Sequence, residues 1–169
     1  MTRDLGGFRE FAAARLEHLR RTAYLLCGDW HTADDLASNT LLKLLRHWRR
    51  VVEMDHPDAY ARRVLVRAWL DERRRPWRRE QSWAQPPDLT ASGADPGLDR
   101  VALLSQLAKL PHRRRAVLVL RYFCDLSVDQ TATVLGISPG TVKSQTARGL
   151  EALRATLREP LNFSPKERA

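Results

Sequence analysis

The stretch 135–154, LGISPGTVKSQTARGLEALR, decides the fold of the chain's second half. Gly136 supplies a tight turn. Ser138 is placed to cap a helix that Pro139 opens, because a serine oxygen satisfies first-turn amides and proline fits the first helical position. Working backwards, Ser127 is placed to cap a short helix over 128–135. Ala132 lies four residues before Gly136, where two helices cross closely. Val142 lies six after it, where a branched side chain fills the angle between them. A short helix, a turn with glycine and a second helix make a helix-turn-helix. Val142, Leu150, Leu153 and Leu157 form the inward stripe of the second helix. Thr141, Lys143, Ser144, Gln145, Ala147 and Arg148 face outward near its N-terminal end, the end that meets base edges in a major groove.

Upstream of this motif, 98–110 reads as a helix closed by Pro111, and 112–124 as another. Arg113, Arg114 and Arg115 open the latter and are candidate phosphate contacts beside a DNA-reading helix. Before them, 81–97, QSWAQPPDLTASGADPG, has three prolines, two glycines and no apolar period, and reads as a flexible linker. The expected fold is therefore all-α, with two small helical domains at 1–80 and 98–160, the linker at 81–97 and a polar tail at 161–169. In the front half, apolar spacing from Phe8 to Leu25 predicts one or two helices before Gly28. A further helix is predicted from about His31 to Arg50, capped by Thr32 or His31, with Leu36, Leu41, Leu44, Leu45 and Trp48 spaced for burial. Pro57 opens the next, which ends before Pro76.

Charge narrows the partners. Of 169 residues, 29 are Lys or Arg against 20 Asp or Glu, a net charge of +9, which favours a polyanion. The front half carries 17 basic against 12 acidic residues, and the segment after the linker 12 against 6, so both halves are basic and the tether is not. The longest clean apolar run, AVLVL at 116–120, is far short of a membrane span. MTRDLGGFRE has no apolar core, so no signal peptide is expected. Cys27 and Cys124 form no CxxC and read as two core thiols of a reducing cytoplasm. The histidines at 18, 31, 47, 56 and 112 are dispersed, and there is neither a phosphate-cradling glycine loop nor a nucleophile elbow. Neither catalysis, a metal, a cofactor nor a small-molecule substrate is expected.

Taken together, LPHRRRAVLVLRYFCDLSVDQTATVLGISPGTVKSQTARGLEALR resembles region 4 of the sigma-70 family in its small extracytoplasmic-function (ECF) branch, of an actinobacterial type. DWHTADDLASNTLLKLLRHW resembles regions 2.1–2.2, and HPDAYARRVLVRAWLDERRR resembles regions 2.3–2.4. The resemblance implies a cytoplasmic transcription-initiation factor that binds core RNA polymerase, reads and melts the −10 promoter element with its front domain and reads the −35 element with its back domain. It implies that Asp35, Leu36, Thr40, Leu44 and Trp48 dock on polymerase. Ser38 and Asn39 depart from the family's frequent Gln and Glu. It further implies that Arg63, Arg67 and Arg74 face the opened −10 strand, with Arg67 where many relatives have Asn, and that the loop around Val52, Glu53 and Met54 receives a flipped base. Tyr60, Trp69 and Trp77 are candidate stacking rings, with core packing as the competing role. Among the −35 positions, Lys143, Ser144 and Arg148 match the family's contacts. Many relatives are held inactive by an anti-sigma factor. The alternative reading is a self-contained regulator of LuxR type, which requires a ligand-binding or phosphoacceptor domain in front.

Overall fold

The computed structural model describes residues 5–74 and 98–158, all in helices and short connections, with no strand among them. The predicted linker, Trp77 and the tail lie outside these residues. The front half has four helices: α1 (Leu5–Cys27), α2 (Trp30–Arg46), α3 (Trp48–Val52) and α4 (Pro57–Arg74). The second has α5 (Leu98–Lys109), α6 (His112–Leu118), a π-helical turn (Val119–Phe123), α7 (Val128–Leu135) and α8 (Pro139–Arg158).

The front half is one long hairpin with a lid. α1 runs unbroken to Cys27 and ends where Gly28 takes φ 74° and its N–H returns to the Tyr24 carbonyl at 2.7 Å. A left-handed residue costs glycine nothing, so it suits a helix C-terminus. The cap of α2 is Asp29 and not Thr32 or His31: its carboxylate accepts from Thr32 N at 2.7 Å. That hydrogen bond also holds the Asp29 carboxyl below its usual range. The single helix predicted to Arg50 is broken at His47, whose N–H bonds the Leu44 carbonyl at 3.1 Å and whose backbone leaves the helical range at φ −116°, and α3 starts at Trp48. This turn carries Trp48 inward against Phe8 and Phe11, at ring separations of 5.4 and 5.3 Å.

The second half begins as predicted and then departs once. The predicted regular helix over 112–124 widens into a π turn, closed by Cys124 N–H on the Val119 carbonyl at 3.1 Å. Asp125 follows at φ 52°, Leu126 turns into the core, and the Leu126 carbonyl accepts from the Arg121 guanidinium. Tyr122 and Phe123 are left outward. Periodicity cannot see one inserted residue in a turn, which is why the sequence read straight through it.

The two halves do not stand apart. Leu19, Leu65, Val66 and Trp69 from the front share one buried cluster with Ala116, Val119, Leu120, Leu126 and Val134. The contact is polar as well: the Arg115 guanidinium crosses to the Leu26 carbonyl at 2.6 Å.

Candidate nucleic-acid interface

The helix-turn-helix is built by local chemistry. Ser127 and Gln130 form a reciprocal capping box at the start of α7, with Gln130 N–H on Ser127 Oγ at 3.1 Å and Ser127 N–H on Gln130 Oε1 at 2.8 Å. Such a cap stabilises a helix start by about 1 kcal/mol. Gly136 caps α7 at φ 65°, ψ 40°, the left-handed turn its sequence position demanded. Ser138 Oγ accepts from Thr141 N at 3.1 Å and starts α8. Val142 is fully buried against Val117 and Ala132 and fixes the angle between α7 and α8.

The outward face of α8 carries Thr141, Lys143, Ser144, Ala147 and Arg148, all exposed. Gln145 is half-buried and accepts from Arg114 Nε at 3.2 Å. Arg114 is thereby turned along α8 as a brace, while Arg113 stays exposed. Leu150 and Leu153 pack inward beside Leu107, Leu110 and Leu118. The side chain of Leu157 lies outside the described residues. Sequence reasoning gave Gly149 no role. A Cβ there would lie 2.8 Å from Leu118 Cδ1 and 3.2 Å from Arg114 Cγ, so only glycine lets α6 and α8 approach this closely.

Arg115 is corrected. It is 1% exposed, and its terminal nitrogens donate to the carbonyls of Leu26, Ala108 (2.5 Å) and Leu110 (3.1 Å). It binds backbone, not phosphate. Burial pushes its pKa down to about 10, leaving it cationic at neutral pH. In a run of three arginines, periodicity does not say which points inward.

The polymerase face on α2 is also corrected. Leu36, Thr40, Leu44 and Trp48 are buried, at 2%, 1%, 0% and 7% exposure, and Thr40 Oγ1 returns to the Leu36 carbonyl. Of the five predicted residues only Asp35 is exposed. The free face carries Ser38, Asn39, Leu42, Lys43 and Arg46, with Leu42 at 54% exposure. Leu42, Asn39, Lys43 and Arg46 line a groove of about 280 Å³ shared with Ala68, Asp71 and Glu72 of α4. The apolar stripe that catches the eye in the sequence is the one the core consumes.

On α4, Arg67 and Arg74 are exposed and Arg63 half-buried. Val52, at the end of α3, and Glu53 and Met54, which follow it, lie exposed before α4. Trp69 is 1% exposed and belongs to the core, while Tyr60 is half-buried. Arg67 Nη2 reaches the helix-turn-helix, 3.5 Å from where a Cβ on Gly136 would sit. Among the described residues no cluster of His, Cys, Asp or Glu could hold a metal, and no helix is long and apolar enough to cross a membrane.

Residues 11–79 match the family model "Sigma-70 region 2", and residues 100–153 match "Sigma-70, region 4". The chain is 33% identical over 151 residues to the RNA polymerase sigma-E factor of Streptomyces avermitilis, covering 89% of this chain and 84% of that one. The chain belongs to the sigma-70 family, in its ECF branch. The ECF RNA polymerase sigma factor SigL of Mycobacterium tuberculosis is 35% identical over 156 residues, covering 83% of each. The fold of this ECF sigma factor is that of the sigma factor RpoE solved with the anti-sigma factor NepR from Bartonella quintana, with a TM-score of 0.72, 22% identity, and 91% and 98% of the two chains covered. CnrH, solved with the cytosolic domain of CnrY, has a TM-score of 0.62 at 23% identity, covering 91% of this chain and 89% of that one. The LuxR alternative is not supported, because the front half is sigma region 2 and not a sensor domain.

Proposed function

We propose that this ECF sigma factor directs a bacterial core RNA polymerase, in the cytoplasm, to promoters whose −35 element is read by α8 and whose −10 element is read by α4 with the Val52–Met54 loop. One observation carries the −35 assignment. α8 presents Thr141, Lys143, Ser144, Ala147 and Arg148 on one exposed face, held at a fixed angle by buried Val142. Lysine or arginine reads the guanine O6 and N7 edge, serine serves base or phosphate, and the Ala147 methyl suits a thymine methyl. Thr141, at the helix start, and Arg113 suit phosphate.

On the front domain, exposed Arg67 and Arg74, with Arg63, supply the cations of a single-strand track. Core polymerase would dock on the free face of α2, around Asp35, Ser38, Asn39, Leu42, Lys43 and Arg46, because the other predicted positions are occupied by the core. An anti-sigma factor is a further partner: of the two solved proteins of this fold, the sigma factor RpoE was captured with an anti-sigma factor and CnrH with the cytosolic domain of CnrY.

The test is transcription in vitro by purified actinobacterial core polymerase on a randomised promoter library, with and without this protein. Protein-dependent initiation at templates sharing two spaced elements supports the reading. Tight sequence-specific binding to duplex DNA by the chain alone, with no binding to core, would overturn it.

A further inference from the structure

Thr141, Gln145 and Gly149 follow one another at every fourth position of α8, so they form a single row along the helix. Neighbours in that row lie about 6 Å apart at about 1.5 Å rise per residue. The row runs along the seam with α6. At its lower end, a Cβ on Gly149 would stand 3.2 Å from Arg114 Cγ, so the glycine leaves the notch in which the Arg114 stem lies. One turn nearer the N-terminus, Arg114 Nε donates to Gln145 Oε1 at 3.2 Å. Arg114 is thus laid lengthwise on α8. Its guanidinium is carried towards the end that bears the exposed Thr141, Lys143 and Ser144.

This arginine is held and yet open. Its Nε is engaged, while its two Nη groups have no hydrogen-bond partner among the described residues. A long side chain aligned in advance loses less freedom when it binds. The same bond limits Gln145. An Nε–H can meet only the oxygen of the amide, which fixes the amide's orientation. Reading adenine takes that oxygen and the amide nitrogen together, and here the oxygen is already engaged.

The upper end of the row suits an anion. Thr141 lies in the first turn of α8, where the helix dipole is positive. Its Oγ1 is 2.8 Å from Ser138 Oγ, and with Ser138 as the donor the Thr141 O–H is left to donate elsewhere. A phosphate group carries several acceptor oxygens and accepts two parallel bonds from a guanidinium edge.

We infer that Arg114 and Thr141 together hold one backbone phosphate of the −35 duplex, and that Gln145 and Gly149 are positioning residues that aim Arg114 without reading a base. The inference rests on the −35 reading of α8. It gives the three neighbouring arginines of α6 distinct work: Arg113 is exposed, Arg115 binds carbonyls, and Arg114 is delivered to the DNA side by α8 itself.

The experiment uses holoenzyme assembled from the full chain and an actinobacterial core, titrated with promoter fragments at several salt concentrations. Arg114→Leu should weaken binding about tenfold on every −35 variant and lower the slope of log affinity against log salt by about 1. Gln145→Met keeps the side-chain length without the oxygen. It should weaken binding about threefold, equally on every −35 variant, and add nothing once Arg114 is replaced by leucine. Arg114→Lys keeps the charge without the Nε–H, so it should keep most of the slope and lose the response to Gln145→Met. That variant carries the test if Arg114→Leu does not fold. An unchanged slope in folded Arg114→Leu overturns the phosphate contact. A Gln145→Met loss confined to one base pair makes Gln145 a base reader and overturns its positioning role. Additive losses in the double variant, or a full response to Gln145→Met in Arg114→Lys, overturn it as well. Each of these results, with the parent still initiating at its selected promoters, sinks the inference alone. A parent that neither binds core nor initiates sinks the sigma-factor reading, and the phosphate contact with it.

Discussion

Arg115 Nη1 lies 2.6 Å from the Leu26 carbonyl, and this one hydrogen bond ties α6 of the second half to the C-terminal turn of α1. The same side chain holds the Ala108 and Leu110 carbonyls, closing the α5–α6 corner at Pro111. It is therefore both a corner piece of the second half and a link to the first.

Replacing that guanidinium should expose both roles. Hydrogen bonds to a charged group contribute about 1.5–3 kcal/mol each, much of it offset by burying the charge. Arg115→Met is expected to lower overall stability by about 2 kcal/mol. Arg115→Lys should rescue little, since one ammonium cannot span carbonyls on three sides. Urea unfolding of the full chain measures this. An Arg115→Lys midpoint equal to the parent's would show that charge alone suffices.

On α8, if it reads the −35 element as proposed, Arg148→Ala should reduce initiation chiefly at promoters with an intact −35 element. The loss of a base contact costs about 1–3 kcal/mol. Comparing transcription over single-base −35 variants checks it. An equal loss on every variant would make Arg148 a phosphate contact.

The two leucines of α2 should behave oppositely. Leu42→Asp, at an exposed site, should leave helicity intact and abolish capture of core polymerase. Leu44 is fully buried, so Leu44→Ala should cost about 2–5 kcal/mol of stability, and Leu44→Asp should unfold the front half. Circular dichroism and co-purification with core separate the cases. Normal holoenzyme with folded Leu42→Asp would move the docking face elsewhere.

At the α6–α8 crossing, Gly149→Ala adds one methyl where Leu118 already stands 2.8 Å away. Helix propensity alone favours alanine by about 1 kcal/mol. The clash should outweigh it and leave a net destabilisation of about 1 kcal/mol or more. A raised melting temperature would mean that Leu118 yields without loss.

Cys27 is 5% exposed, and burial pushes its thiol up to about 11. At pH 8 very little thiolate is present, so native Cys27 should resist iodoacetamide and react at once in urea. Rapid labelling of the folded chain at Cys27 would contradict this packing.

Sequence alone determined what is local in the chain. The Ser127 cap, the tight turn at Gly136, the Ser138–Pro139 start and the Val142 plug were all legible, because each depends on residues within a few positions of one another; the return bond from Ser127 N–H to Gln130 came only with the structure. So were the outward positions Thr141, Lys143, Ser144, Ala147 and Arg148 of α8, though not that of half-buried Gln145, and the start of α4 at Pro57. Tertiary structure decided what depends on distant neighbours. On α2, the apolar stripe Leu36–Leu44 could serve the core or a partner, and only packing against α1 and α4 assigned it to the core. In the run 113–115, three identical side chains took three fates: solvent, the Gln145 brace and the Leu26 carbonyl. The join between the halves was invisible as well, since it brings residues such as Leu26 and Arg115 together across most of the chain, and no periodicity encodes a partner that far away.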